Sequence, residues 1–250
     1  MVLAMVLLER PVRPDGLAVL ARLQAHTGTR YQAKITSSTG DEVATLAVDG
    51  DDMVAISLMP VPIPWSELEG PCTTTNWLWP RAEQECRRAK AHHVVALSTT
   101  STDRIGARLK LTDAVAADVA ATGALGVYWG AGVVVASADA FLAAAARASR
   151  DELPLPLWVT VHVQRAPSGA SFFATQGATD LGFMEVEFER ATDKPLEDID
   201  RMLVFLHYLC DRGAVIGDGD TFGRTATERI YVRHAPSKWK GRGTVYRLDF

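Results

Sequence analysis

Cysteine is scarce in this 250-residue sequence: Cys72, Cys86 and Cys210 are scattered, with no two in CxxC spacing. An odd, dispersed set of thiols encodes neither a disulfide framework nor a zinc knuckle, so free buried cysteines are expected. A basic excess is also lacking, since the formal net charge is -4. Proteins that neutralise phosphate carry a marked surplus of lysine and arginine, which argues against a nucleic-acid partner. Long apolar runs are missing as well. The opening stretch 1–8 has no basic flank or cleavage site and stops at Glu9-Arg10, while the richest later run, 123–136, is broken by glycines and Tyr128-Trp129. Neither reaches the roughly 18 residues that span a bilayer, so a cytoplasmic chain without a membrane partner is expected. GxSxG, HExxH, GxGxxG and kinase signatures are absent, and no catalytic residue, metal ligand or cofactor is assigned.

What is present is the composition of a folded protein. An apolar fraction of 48% and a charged fraction of 22% lie far from those of a disordered chain, and the length suffices for one large domain or two small ones. The first stretch reads as a strand, and Leu17, Leu20 and Leu23 as the stripe of a helix ending near Gly28. Runs 43–48 and 53–59 flank Asp49-Gly50-Asp51, in which Asp-Gly is a hairpin signal. Pro60, Pro62 and Pro64 end the second run and lead into an irregular stretch carrying Trp65, Trp77 and Trp79, which anchor a recognition surface or, as the better reading, close off a core. A helix over 80–91 and a strand over 92–98 complete the order β-α-β-β-α-β. That order predicts an α+β fold, antiparallel sheets with helices packed on one face, in the manner of a ferredoxin-like or split βαβ unit. A helix over 103–122, a strand over 126–135, a helix over 138–149 capped by Ser137, and a connector at 151–156 follow.

The second half opens with an alternating strand, 158–163, that turns Val159, Val161 and Val163 inward. Leu196, Ile199, Met202, Leu203, Leu206 and Leu209 form a helical stripe closed by Gly213, and β-rich segments 214–216, 229–233 and 244–250 end the chain. A second ferredoxin-like half is the corresponding expectation: one domain over 1–250, with sub-halves 1–150 and 154–250.

Glu185, Glu187 and Glu189 fall on one face of a strand, about 7 Å apart. Such a stripe receives arginines from a protein partner, supplies hard oxygens to a cation, or pairs across the sheet with Arg229 and Arg233. In 217–223, Asp218, Asp220 and Thr221 present oxygens among glycines, but neither the EF-hand nor the P-loop pattern is met, and a turn between strands is the better reading. His92, His93 and His162 form no set. Charge is polarised: eight acids against two bases over 180–200, and seven bases against one acid over 224–247. This pattern fits internal pairing or complementary protein surfaces.

At Pro60-Val-Pro-Ile-Pro-Trp65, Asn76-Trp77, His92-His-Val-Val, Gly126-Val-Tyr-Trp129, Thr175-Gln-Gly177 with Leu181-Gly182, and 217–223, the chain resembles a bacterial family, the domain of unknown function 4261. The resemblance implies a bacterial cytosolic protein of a kind associated with secreted polymorphic toxins, where small α+β proteins serve as immunity factors. It supplies no catalytic residue. A protein-binding module that neutralises a cognate toxin is therefore expected, with Glu185, Glu187, Glu189, Asp218 and Asp220 on its binding surface. The competing expectation is a metal-dependent hydrolase or transferase whose carboxylates converge in one cleft.

Overall fold

The computed structural model describes residues 2–28, 30–39, 42–223, 225, 228–239 and 241–250. Two members of the basic run, Arg224 and Lys240, lie outside them. The chain divides into two compact units, Met1–Leu157 and Trp158–Phe250. The α+β class expected from the sequence is the one observed.

The first unit contains β1(Val2–Leu8), α1(Gly16–Thr27), β2(Ala33–Thr39), β3(Val43–Val48), β4(Asp52–Met59), α2(Trp65–Thr74), α3(Ala82–Cys86), β5(Ala91–Ser98), α4(Arg104–Thr122), β6(Gly126–Trp129), β7(Val134–Ser137) and α5(Ala138–Ala145). The short α6(Leu155–Trp158) follows. Its sheet has the order β2-β3-β4-β5-β1-β6-β7. The Asp49-Gly50 signal makes the β3–β4 hairpin, with both residues at positive φ. The ferredoxin-like order does not form. After α1 the chain runs through the meander β2-β3-β4 and meets β1 only at β5, so β1 lies antiparallel to both neighbours, β5 and β6.

Helices cover both faces of this sheet rather than one. Val6 and Leu7 point to opposite sides. Val6 lies opposite His93 on β5, and His93 reaches Asp118 of α4. Leu7 instead packs in a buried cluster with Leu68 and Cys72 of α2 and Ala82 and Cys86 of α3. Gly126 admits the aromatic lid on this second side: a Cβ there would stand 2.4 Å from the Ala136 carbonyl oxygen and 2.7 Å from the Trp79 ring. Trp79 is buried, whereas Trp77 is 39% exposed.

The second unit contains β8(Thr160–Arg165), β9(Ser171–Gln176), α7(Ala178–Leu181), β10(Val186–Arg190), α8(Pro195–Arg212), β11(Thr221–Phe222), β12(Ile230–Pro236) and β13(Thr244–Asp249). Its sheet has the order β11-β12-β13-β10-β9-β8, which is again not that of a split βαβ unit. The neighbours β10 and β13 run parallel, because α8 and the β11–β12 excursion carry the chain back before β13 pairs. Of the expected helical stripe, Ile199, Met202, Leu206 and Leu209 are buried together with Phe205, whereas Leu203 is half-buried and Leu196, in the first turn, is 63% exposed. Phe205 meets Phe222 and Tyr246 edge-on, while Phe173 and Phe188 stack at 4.5 Å within the sheet.

Candidate functional site

The three glutamates of the acidic stripe meet three different fates. Glu185 is 6% exposed, and its carboxylate is saturated. Oε1 accepts from the Gly177 and Thr179 backbone N–H groups and from Thr179 Oγ1, and Oε2 accepts from Thr175 Oγ1 and the Ala178 N–H. It thus organises the turn into α7, the backbone of which supplies a cluster of N–H donors. Glu187, 1% exposed, accepts from Ser237 Oγ and from the Lys238 N–H at 2.9 Å, with Arg247 Nη2 at 3.9 Å. Glu189 accepts from Ser168 Oγ and from Lys238 Nζ at 2.7 Å, and these two contacts hold its carboxyl below the usual range.

The cationic partners, Lys238 and Arg247, come from the β12–β13 connection and β13, not from Arg229 and Arg233 as cross-sheet pairing predicted. β13 stands between β12 and β10, and Arg233 turns toward Asp249 instead. The connection folds across the glutamate face of the sheet. Trp239 meets His162 edge-on at 4.7 Å and carries the Arg242 guanidinium 4.0 Å above its ring. Arg242 donates to the Thr175 carbonyl and to Gln176 Oε1, which also accepts from His162 Nε2. Burial lowers the pKa of Arg242 against the opposing charges of Glu185 and Glu187. Burial likewise lowers His162, with the Gln176 bond and Glu185 working against it and Arg242 reinforcing it. Part of the polarised charge of the sequence is therefore spent on internal pairing.

Beside this loop run two adjoining grooves of about 280 and 250 Å³ that share Phe172, Glu189 and Lys238. Arg165, Pro167 and Trp239 line one end. Arg190, Asp249 and Phe250 line the other, where Arg190 sits 4.9 Å over the Phe250 ring. Of the five residues predicted for a binding surface, Glu189 alone combines groove lining with appreciable exposure, its side chain being 23% exposed. Asp218 and Asp220 lie elsewhere and shape their own turn: Asp218 Oδ1 accepts from the His234 N–H at 2.8 Å and Asp220 Oδ2 from the Gly217 N–H at 2.6 Å. Among the described residues no group of three or more His, Cys, Asp or Glu side chains is placed to hold a metal ion.

Two buried polar centres in the first unit went unread in the sequence. Asp113, on α4, accepts from His26 Nε2 at 3.0 Å and Arg30 Nη1 at 3.2 Å and also bonds Tyr31. Burial raises its pKa despite these partners, and burial with the Asp113 charge raises that of Tyr31. His93, fully buried, donates from Nδ1 to both Asp118 oxygens at 3.0–3.1 Å and from Nε2 to the Val12 carbonyl at 2.7 Å. Both ring nitrogens face acceptors, an arrangement that favours the imidazolium and holds the His93 pKa above its ordinary value. The signal was an acid at an apolar position of a helix that is buried nearly all round; such an acid needs a named partner.

Residues 174–249, from β9 to β13, match a family model described as Domain of unknown function (DUF4261). The sequence motifs of that resemblance at 60–65, 76–77, 92–95 and 126–129 fall outside the matched span. No match was found among curated proteins or solved structures.

Proposed function

We propose that this chain, whose residues 174–249 belong to the domain of unknown function 4261 family, is a protein-binding module that docks its partner along the Phe172–Lys238 groove of the second unit. The observation that carries the reading is the make-up of that groove. Phe172, Trp239 and Phe250 stand among Arg165, Arg190 and Lys238, and aromatic side chains and arginine are the types that concentrate binding energy in protein interfaces. The carboxylates that a metal-dependent hydrolase would need are engaged with donors of the protein itself, which favours binding over that chemistry. The partner we propose is a toxin domain neutralised by the chain, and this part rests on the family resemblance.

The test is affinity capture of the tagged chain from its own cells at low and high salt, wild type beside Phe172→Ala and Lys238→Ala. One stoichiometric partner is expected, toxic when expressed alone, harmless beside the chain, and bound at least tenfold more weakly by both variants. Recovery of the chain alone, or of a partner held equally by all three proteins, would overturn the proposal.

A further inference from the structure

The β8–β9 hairpin fixes which main-chain groups of β8 face outward. The Ala166 N–H donates to the Ala170 carbonyl at 2.9 Å, and the register runs on through Arg165↔Ser171, Gln164↔Phe172 and Val163↔Phe173. Antiparallel pairs alternate between bonded and non-bonded. Gln164 and His162 therefore bond to β9, whereas the N–H and C=O groups of Val163 and Arg165 point away from it. The Thr175 carbonyl, opposite Val161 and so turned away from β8, fits this phase by accepting from Arg242. Val161 is buried, which leaves Val163 to Arg165 as the open length, and Val163 is 41% exposed. Only β9 neighbours β8 in the sheet, and among the described residues no turn, loop or side chain bonds these outward groups. Sheet edges are ordinarily blunted by lysine, proline or a bulge. β2, an edge of the first sheet, has Lys34 and a register shift between Ile35 and Ser37. Residues 160–164 of β8 have no charge and no proline.

We infer that the partner docks by strand addition: an extended segment of the partner protein pairs its main chain with Val163 and Arg165 and extends the second sheet beyond β8. This rests on the protein-binding reading and names how that same groove is entered. The groove of about 250 Å³ reaches the edge at Gln164 and Arg165 and continues to Phe172 and Trp239. Gln164, Phe172 and Glu189 lie opposite one another on β8, β9 and β10, so they share the face on which the groove lies. A residue of the added strand opposite Gln164 points to that face, and its neighbours on either side point to the other. Main-chain bonds then supply affinity, and the groove selects the side chain. The segment that fits has an apolar residue opposite Val163, a long apolar or aromatic residue opposite Gln164, and an acidic residue opposite Arg165. The acid is called for because Arg165 is exposed and makes no ion pair among the described residues.

The first arm of the test needs no partner. Residue-resolved amide exchange of the free full chain should show Val163 and Arg165 exchanging at least about tenfold faster than His162 and Gln164. A slow Val163 amide in dilute solution would mean that the edge is already covered, and slowing that grows with concentration would mean that a second copy covers it. Either result overturns strand addition and leaves the groove reading standing. In the second arm, the partner recovered by capture is purified and titrated calorimetrically into wild type, Val163→Pro, Val163→Thr and Phe172→Ala. Proline at 163 removes an outward N–H and no bond to β9, which an edge strand accommodates; urea midpoints check that the fold is kept. Val163→Pro should bind roughly tenfold or more weakly, and Val163→Thr should bind as wild type does. The Val163 and Arg165 amides of the wild-type chain should become protected in the complex, and this readout decides alone if Val163→Pro unfolds. Undiminished binding by Val163→Pro beside a loss in Phe172→Ala would overturn strand addition but keep the groove. Absence of any partner for the wild-type chain would overturn both.

Discussion

Replacing Glu185 with glutamine tests whether the acidic stripe is scaffold or docking surface. The carboxylate accepts five hydrogen bonds, three at Oε1 and two at Oε2, in a site 6% exposed. An amide keeps one acceptor. If its oxygen takes the Oε1 side, its NH2 faces the Ala178 N–H and the Thr175 hydroxyl. Thr175 Oγ1 already accepts from the Val186 N–H at 2.7 Å, so its own proton loses its acceptor too. Stranding a buried donor costs about 1–3 kcal/mol. The three bonds that remain become neutral rather than charge-assisted, which weakens each by a fraction of a kcal/mol to about 1 kcal/mol. The sum is about 3–9 kcal/mol, a large share of the roughly 5–15 kcal/mol by which a domain is stable. Urea unfolding followed by circular dichroism, with amide exchange read at 177–179, measures it. A loss under about 1 kcal/mol, with exchange at those amides unchanged, would refute the scaffold role.

Other consequences follow from the buried polar groups. Burial alone would lower the His93 pKa, but the bond and charge of Asp118 and the Val12 carbonyl outweigh it and hold the pKa above its ordinary 6.5. The first unit should therefore keep this contribution in full below about pH 6.5 and lose it as pH rises through the higher folded value. Urea midpoints across pH 6–9 should fall, and His93→Gln should flatten that slope; a parallel slope in the variant would contradict the assignment. Arg242→Ala removes two hydrogen bonds and the stacking on Trp239, and should cost about 1–3 kcal/mol with a red shift of tryptophan emission. An unchanged emission spectrum would show that Arg242 does not hold the loop in place.

Much of the secondary structure was legible because local rules agree with packing. Ser137 caps α5 through a hydrogen bond from the Ala140 N–H, and Gly213 ends α8 where the stripe predicts. The omissions have local causes. β2 reads Ala-Lys-Ile-Thr-Ser-Ser-Thr, too polar for the strand pattern, because it is an edge strand with one neighbour. α2 was hidden by Pro64 at its cap and Pro71 within it. The run 126–135 is two strands rather than one, turning through Val133 at φ 48, a conformation that a β-branched residue seldom adopts. Val163, predicted inward, is 41% exposed because β8 is an edge strand. At the site, the common face of the glutamates was readable. Their partners were not, since no sequence period reveals that β13 comes between β10 and β12 or that Ser237, Lys238, Trp239 and Arg242 fold back over the sheet.

The position of β13 also bears on how the second unit is made. It follows every other strand of the described residues in chain order, yet it fills the seam between β12 and β10. Until residues 244–249 emerge, the nascent chain holds two separate ribbons, β8-β9-β10 and β11-β12, each with an unpaired inner edge. Those edges are templates for neighbouring polypeptides. Ribosome stalling or premature termination just before Thr244 would thus release a sticky half-sheet, whereas loss of residues before β8 would spare the seam.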